Sequence, residues 1–403
     1  MPVRSQLMKM TGRDPHEEGR AGSSLEILYD LVFVVAFSVA GVQLAEYAAE
    51  GHWLPAIAGY LLTTFATIWA WINFAWFSSA FDTDDWFYRL LTLLQMIGVS
   101  IIAIGIPPVF SSIHEGGHVD VTVLVIGYIV MRLGMITQWL RAALQAPDYR
   151  RTALAYALFT AIAQVGWVIL IFLPTGLWAT LAIGLVLVGV EMAGPFVAET
   201  RIRATPWNPE HIAERYATLM VITLGEGVVG TVAVLQAVVG REGWSHETAV
   251  LGLAAMGVTF MMWWLFFLMP NGAILARRPE KCFGFGYGYL PLFMACAAVG
   301  GGLHVVALWI ERHATIGPVA VVATTAVPLA VFCLGLIGIH GWLVGGHRVL
   351  WPMGIGATAP IVLGLVLAAV GAPVLVGTVV VCLAPLIPVV IAEVATDESD
   401  ALG

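Results

Sequence analysis

The chain has 403 residues, of which 60% are apolar and only 11% are Asp, Glu, Lys or Arg, against roughly 25% charged in an ordinary soluble domain. With a mean hydropathy of +0.90 and 43 Gly and 15 Trp, a water-soluble globule is excluded. The chain fits lipid as solvent, where Gly permits close helix contact and Trp anchors interfaces. The net charge of -8 argues against nucleic acid as a partner, and Cys282, Cys296, Cys333 and Cys382 have no spacing that suggests a disulfide frame or zinc site.

Met1 to Arg20 is polar and lacks the apolar core of a secretory signal, so the first apolar run is expected to remain in the mature protein. Runs of about 20 apolar residues, enough to cross about 30 Å of hydrocarbon, then recur to the end of the chain. The expected spans are Ile27 to Ala48, Leu54 to Ser78, Leu90 to Phe110, Val121 to Leu144, Thr152 to Leu173 and Leu177 to Ala198. A second six follow at His211 to Val238, Thr248 to Leu268, Tyr287 to Ile310, Pro318 to Val344, Leu350 to Val370 and Pro373 to Val394. The fold class is therefore all-α and polytopic. An N-terminal segment, 1–24, precedes a transmembrane domain over 25–394, and a short tail, 395–403, follows it. Matching aromatic clusters, Trp69/Trp71/Phe74/Phe77 and Trp263/Trp264/Phe266/Phe267, hint at parallel six-helix halves, 25–200 and 207–394.

Charge in the connectors tests this count, because short cytoplasmic loops gather Lys and Arg. With the N-terminus inside, fifteen basic residues fall on one side, Arg241 and Arg312 fall on the other, and Arg132 lies within a span. One missed span would invert every later loop, so the asymmetry supports twelve spans with both termini cytoplasmic. No connector is long enough to form a soluble catalytic domain.

An ionised residue at the centre of a membrane helix costs about 2.5 to 3.5 kcal/mol on insertion scales, so such residues face the bundle interior and find partners. The first span opens Ser23-Ser24-Leu25-Glu26-Ile27-Leu28-Tyr29-Asp30, which puts Glu26 and Asp30 on one helix face. Ser23-x-x-Glu26 matches a capping box. Asp30 lies a turn deeper, beyond any cap, where a carboxylate can bind a cation, carry a proton or pair with Arg. The seventh span opens Asn208-Pro209-Glu210-His211-Ile212-Ala213-Glu214-Arg215, with Asn208 as N-cap and Pro209 at the first helical position. At 100° per residue, His211, Arg215 and Glu226 share one stripe, with Glu226 about 16 Å beyond Arg215 and near mid-membrane. Arg132 and Glu191 lie at similar depths in the fourth and sixth spans and are expected to form a buried pair.

Other motifs are set aside. His114-Glu115-Gly116-Gly117-His118 satisfies H-E-x-x-H but follows Pro107-Pro108 and contains Gly-Gly in an expected outer loop, so no metal site is assigned. Tyr29-Asp30 lacks the second Gly-x-Gly-Asp of an intramembrane aspartyl protease, and the only lysines, Lys9 and Lys281, lie outside the spans, which excludes a retinal Schiff base. Asp82-Thr83-Asp84-Asp85 is expected to cap the third helix, and Gly300-Gly301-Gly302 to mark a close helix contact or a kink.

Taken together, Leu25-Glu26-Ile27-Leu28-Tyr29-Asp30-Leu31-Val32-Phe33-Val34, Phe81-Asp82-Thr83-Asp84-Asp85, His211-Ile212-Ala213-Glu214-Arg215-Tyr216 and Leu224-Gly225-Glu226 resemble the bacterial low temperature requirement A (LtrA) family over most of the chain. The resemblance implies a multi-pass bacterial inner-membrane protein and maps the family's acidic first-helix and Glu-Arg seventh-helix signatures onto Glu26, Asp30, Glu214, Arg215 and Glu226. It also implies an acidic residue where this chain has Leu268. The functional expectation is a transporter of a small solute or ion, coupled to protons, with Asp30, Glu226, Glu26, His211, Glu214 and Arg215 along its path. The expected partners are the bilayer and that solute, with homo-oligomer formation left open; no cofactor, metal or enzymatic activity is expected. The alternatives are a cation channel, given a slight similarity to the lysosomal potassium channels with a Phe-Ser-Asp motif, and a non-transporting scaffold or sensor.

Overall fold

The computed structural model describes residues 7–244, 246–346 and 348–400. Among the described residues, helices make up the regular structure apart from a single isolated bridge between His118 and Gly176. Twelve spans among the described residues are long and apolar enough to cross a membrane. In chain order the helices are α1 (Ser24–Ala49), α2 (Trp53–Phe81), α3 (Trp86–Glu115), α4 (Thr122–Gln145), α5 (Arg150–Ile171), α6 (Leu177–Val197) and α7 (Pro209–Glu242). They continue with α8 (His246–Phe267), α9 (Asn271–Arg277), α10 (Cys282–Ile310), α11 (Pro318–Val344), α12 (Leu350–Ala369), α13 (Val374–Cys382) and α14 (Leu386–Asp400).

Local chemistry sets several of these ends. Asp85 caps α3, accepting from the Tyr88 amide at 2.9 Å, and Asn208 caps α7, accepting from the His211 amide at 3.0 Å. The first turn of α1 is a reciprocal capping box: Ser23 Oγ accepts from the Glu26 amide at 3.2 Å while Glu26 Oε2 accepts from the Ser23 amide at 2.7 Å.

Two expectations from the sequence need correction. α3 continues through Pro107-Pro108 and takes His114 and Glu115 into its last turn, where a loop was expected. It stops at Gly116, whose φ of +76° is the left-handed conformation that ends helices, so His118 lies beyond the helix and shares no helical face with His114. The eighth span, expected over Thr248 to Leu268, matches α8, and the short α9 follows it beyond Pro270. The twelfth is broken, into α13 and α14, because Pro385 has no amide to donate and its ring crowds the carbonyl four residues earlier.

The chain divides into two compact units, one formed by residues up to Ala40 with Leu62–Tyr216, the other by Gly41–Leu61 with the chain from Ala217. In the first unit α3 and α4 lie backbone to backbone: a Cβ on Gly105 would come within 2.4 Å of the Leu124 amide nitrogen, so only glycine fits there. In the second unit α10 is unbroken, and its Gly-Gly-Gly run marks close contact and not a kink. A Cβ on Gly302 would sit 2.4 Å from the Thr324 carbonyl oxygen of α11.

Candidate functional site

The first unit brings together the start of α1, the last turns of α2 and the first turns of α7. Glu26, Asp30, His211 and Arg215 meet there, each at most 2% exposed. Arg215 stands between the two carboxyl groups, with Nη1 2.7 Å from Glu26 Oε1 and Nη2 2.5 Å from Asp30 Oδ1. His211 Nε2 lies 3.4 Å from Glu26 Oε2. The indole of Trp71 donates to Asp30 Oδ1 at 2.6 Å, and the Arg215 guanidinium carbon lies 5.8 Å from the Trp71 ring centre and 5.9 Å from that of Phe74, within cation–π range.

The charges do not balance. With both carboxyls ionised and the imidazole neutral, Glu26, Asp30 and Arg215 carry one net negative charge in a place without water's dielectric. Asp30 Oδ2 is buried and has no hydrogen-bond partner among the described residues, and the same holds for His211 Nδ1.

A second ionic site in this unit has the opposite character. Arg132 of α4 and Glu191 of α6 pair at 2.8 Å, with side chains 2% and 4% exposed. Glu191 Oε2 also accepts from Trp69 Nε1 at 2.7 Å and Tyr128 Oη at 2.6 Å, and Oε1 from Trp167 Nε1 at 3.0 Å. Both oxygens of Glu191 are held by donors; only one oxygen of Asp30 is. A buried polar row, Tyr29 Oη to Gln95 Oε1 at 3.3 Å and Gln95 Nε2 to Gln138 Oε1 at 3.0 Å, lies in the same unit.

The N-terminal segment folds over this end of the unit. Arg20 is 7% exposed and its guanidinium donates to the carbonyls of Ser78 and Ser79 at the end of α2, while Asn208 Nδ2 donates to the Glu17 carbonyl at 2.9 Å. Arg141 of α4 joins Met8 to Asp85, donating to the Met8 carbonyl and the Asp85 carboxylate. Burial alone would push the Asp85 carboxyl up, but hydrogen bonds from Arg141 and from the Tyr88 and Met8 amides outweigh it and hold it below the ordinary range.

Of the residues singled out in the sequence, Glu26, Asp30, His211 and Arg215 are in contact, and Arg132 meets Glu191. Glu214 is exposed, about 100° around α7 from the buried Arg215. Glu226 belongs to the second unit, half-buried, with its backbone against α10: a Cβ on Gly300 would lie 2.4 Å from the Glu226 carbonyl oxygen. The sequence reading missed the roles of Trp69, Trp71, Gln95 and Arg20. Trp69 and Trp71 are core residues, at most 1% exposed. Their nearness to Glu191 and Asp30 comes from helix packing, and no spacing within the sequence signals it.

The model of the bacterial low temperature requirement A proteins (LtrA) matches residues 21–387. The chain belongs to the LtrA family. The match begins just before the capping box of α1 and runs into α14, so both ionic sites fall inside the family region. A Rhizobium meliloti protein described only as uncharacterized is similar, at 27% identity over 295 residues covering 66% of this chain. The match takes in 65% of that relative, a little under two thirds of its length. No solved structure matches.

Beside the cluster, Asp82 gives this LtrA protein a testable pH response. Burial raises its carboxyl to about 6, with the negative charge of Glu26 adding to the effect and the Asp84 amide and Arg13 opposing it. A carboxyl that binds its proton more tightly folded than unfolded stabilises the fold below about pH 4, and that contribution is lost as pH rises through about 6. Asp82→Asn is therefore expected to match wild type near pH 4 and to exceed it at pH 8 by at most about 3 kcal/mol, at 1.36 kcal/mol per pKa unit. Thermal unfolding in detergent at both pH values checks this; parallel curves for the two proteins would remove Asp82 as the cause.

Proposed function

We propose that this protein is a transporter of a small solute or ion in the bacterial inner membrane, with both termini cytoplasmic, coupled to protons through Asp30 and with no enzymatic step. The observation that carries the reading is the contrast between the two buried carboxylates. A proton reaching Asp30 Oδ2 breaks no hydrogen bond, whereas protonating either oxygen of Glu191 displaces a donor. Protonation of Asp30 also removes the net charge of the cluster and weakens its hold on Arg215, so one proton changes how firmly α1 is tied to α7. Glu226, further along α7, is assigned to the solute path. The broken twelfth span adds support, since interrupted membrane helices are a recurrent feature of transporter sites.

One observation favours a second reading, a non-transporting scaffold: the cluster is closed off, with Asp30 0% exposed. Proteoliposomes holding a pH-sensitive dye separate the two. The transporter reading expects proton movement when a gradient of the correct solute or ion is imposed, and its loss in Asp30→Asn and Glu226→Gln proteins that still elute as folded species. Absence of flux across protons, common cations and a panel of organic solutes would overturn transport and leave the scaffold.

A further inference from the structure

At the end of the second unit where α7 and α10 finish and α11 and α13 begin, there is an open cavity of about 530 Å³. Its walls include Arg241, Arg312, Trp309, Val238, Pro318 and Leu375. Of the 18 basic residues in the chain, Arg241 and Arg312 are the two that the connector pattern places on the sparsely charged side, and both line this cavity. Neither is in an ion pair among the described residues. Arg241 donates to the Ile310 carbonyl, and among the described residues its other guanidinium donors have no hydrogen-bond partner. The neighbouring Glu311 is turned toward His313, 3.5 Å away.

Arg312 is held at the expense of the backbone. α10 ends with the His313 amide donating to the Leu308 carbonyl at 2.8 Å and the Arg312 amide donating to the Trp309 carbonyl at 3.1 Å. This pairing calls for a left-handed residue at the Arg312 position, a place usually taken by glycine. Arg312 has φ +64°, and it and Asp84 are the described non-glycine residues in that region. A long cation where glycine would be relaxed points to use of the side chain. The first turns of α11 and α13 also reach this cavity, and neither has a side-chain cap, so their free amides add positive potential.

We propose that this cavity binds the phosphate group of an amphipathic phosphate ester, with Arg241 and Arg312 on the phosphate and Trp309, Val238 and Leu375 against its apolar part. Guanidinium groups match phosphate geometry with paired donors, and the volume falls in the range that holds a whole small ligand. The phosphate can come from an anionic lipid headgroup or from a soluble ester, and the test separates them.

The full-length protein in detergent is equilibrated with equal phosphatidylglycerol and phosphatidylcholine, and the retained lipid is measured by mass spectrometry. Glycerol 3-phosphate is titrated calorimetrically in parallel. Wild type is expected to retain phosphatidylglycerol selectively or to bind glycerol 3-phosphate, the first result assigning a lipid and the second a soluble ester. Arg312→Gln is expected to weaken whichever is bound by about tenfold, the scale of one lost charge-assisted contact, and Arg241→Gln with Arg312→Gln to abolish it. Arg312→Gly guards against a folding artefact, because it should keep or raise thermal stability while losing the same affinity. Binding unchanged in these variants, or no binding of either probe by wild type, would overturn the proposal.

Discussion

Arg215→Ala is expected to be the most damaging single substitution in the first unit, lowering stability by about 3 to 5 kcal/mol, the usual result of leaving a buried charge without its partner. Here two carboxylates lose it at once, since Arg215 reaches both Glu26 and Asp30, and the ends of α1 and α7 lose their ionic tie. Thermal unfolding followed by gel filtration in detergent gives the readout. The decisive comparison is the triple change Arg215→Ala, Glu26→Gln and Asp30→Asn. If electrostatics is the cause, the triple variant recovers most of the loss, because none of the three positions then carries a charge. An Arg215→Ala protein as stable as wild type would show that the cluster is solvated and does not hold the unit together.

Glu191→Gln is expected to cost about 3 kcal/mol or more while keeping nearly the same shape, again from an unpaired buried cation. The amide would turn an N–H toward donors at one of its two ends, because Glu191 accepts from Arg132, Tyr128, Trp69 and Trp167. Asp30→Asn should be far milder, since Trp71 and Arg215 share one oxygen and the other receives no donor. The pair of isosteric changes thus sorts the two acids by their effect on folding. Equal losses in the two variants would remove the distinction on which the proton assignment rests.

The sequence carried those features that depend on spacing along one helix. Ser23-x-x-Glu26 and Asn208-Pro209 announced the starts of α1 and α7, and the depths of Arg132 and Glu191 in spans of the same direction predicted that they would face each other. What it did not carry depends on which helices become neighbours. The stripe of His211, Arg215 and Glu226 is real on α7, but the partners of Arg215 come from α1, and Glu226 is set against α10 in the other unit. Trp71 reads as one aromatic among several until Asp30 is seen beside it. The break at Pro385 was hidden because the residues around it are uniformly apolar, and hydropathy counts residues without asking which amide is missing.

The tie between α1 and α7 also orders events during synthesis. Asp30 and Arg215 are 185 residues apart in the chain, so at about 5 to 20 residues per second the ribosome completes α7 roughly 10 to 40 seconds after α1. Throughout that interval the first helix carries two carboxyl groups whose counter-ion has not yet been made. The nascent first span must wait beside the insertion machinery or near the membrane surface, with its acids protonated or wet. Only once Arg215 has been made can Glu26 and Asp30 take up the buried ion pairs of the folded unit.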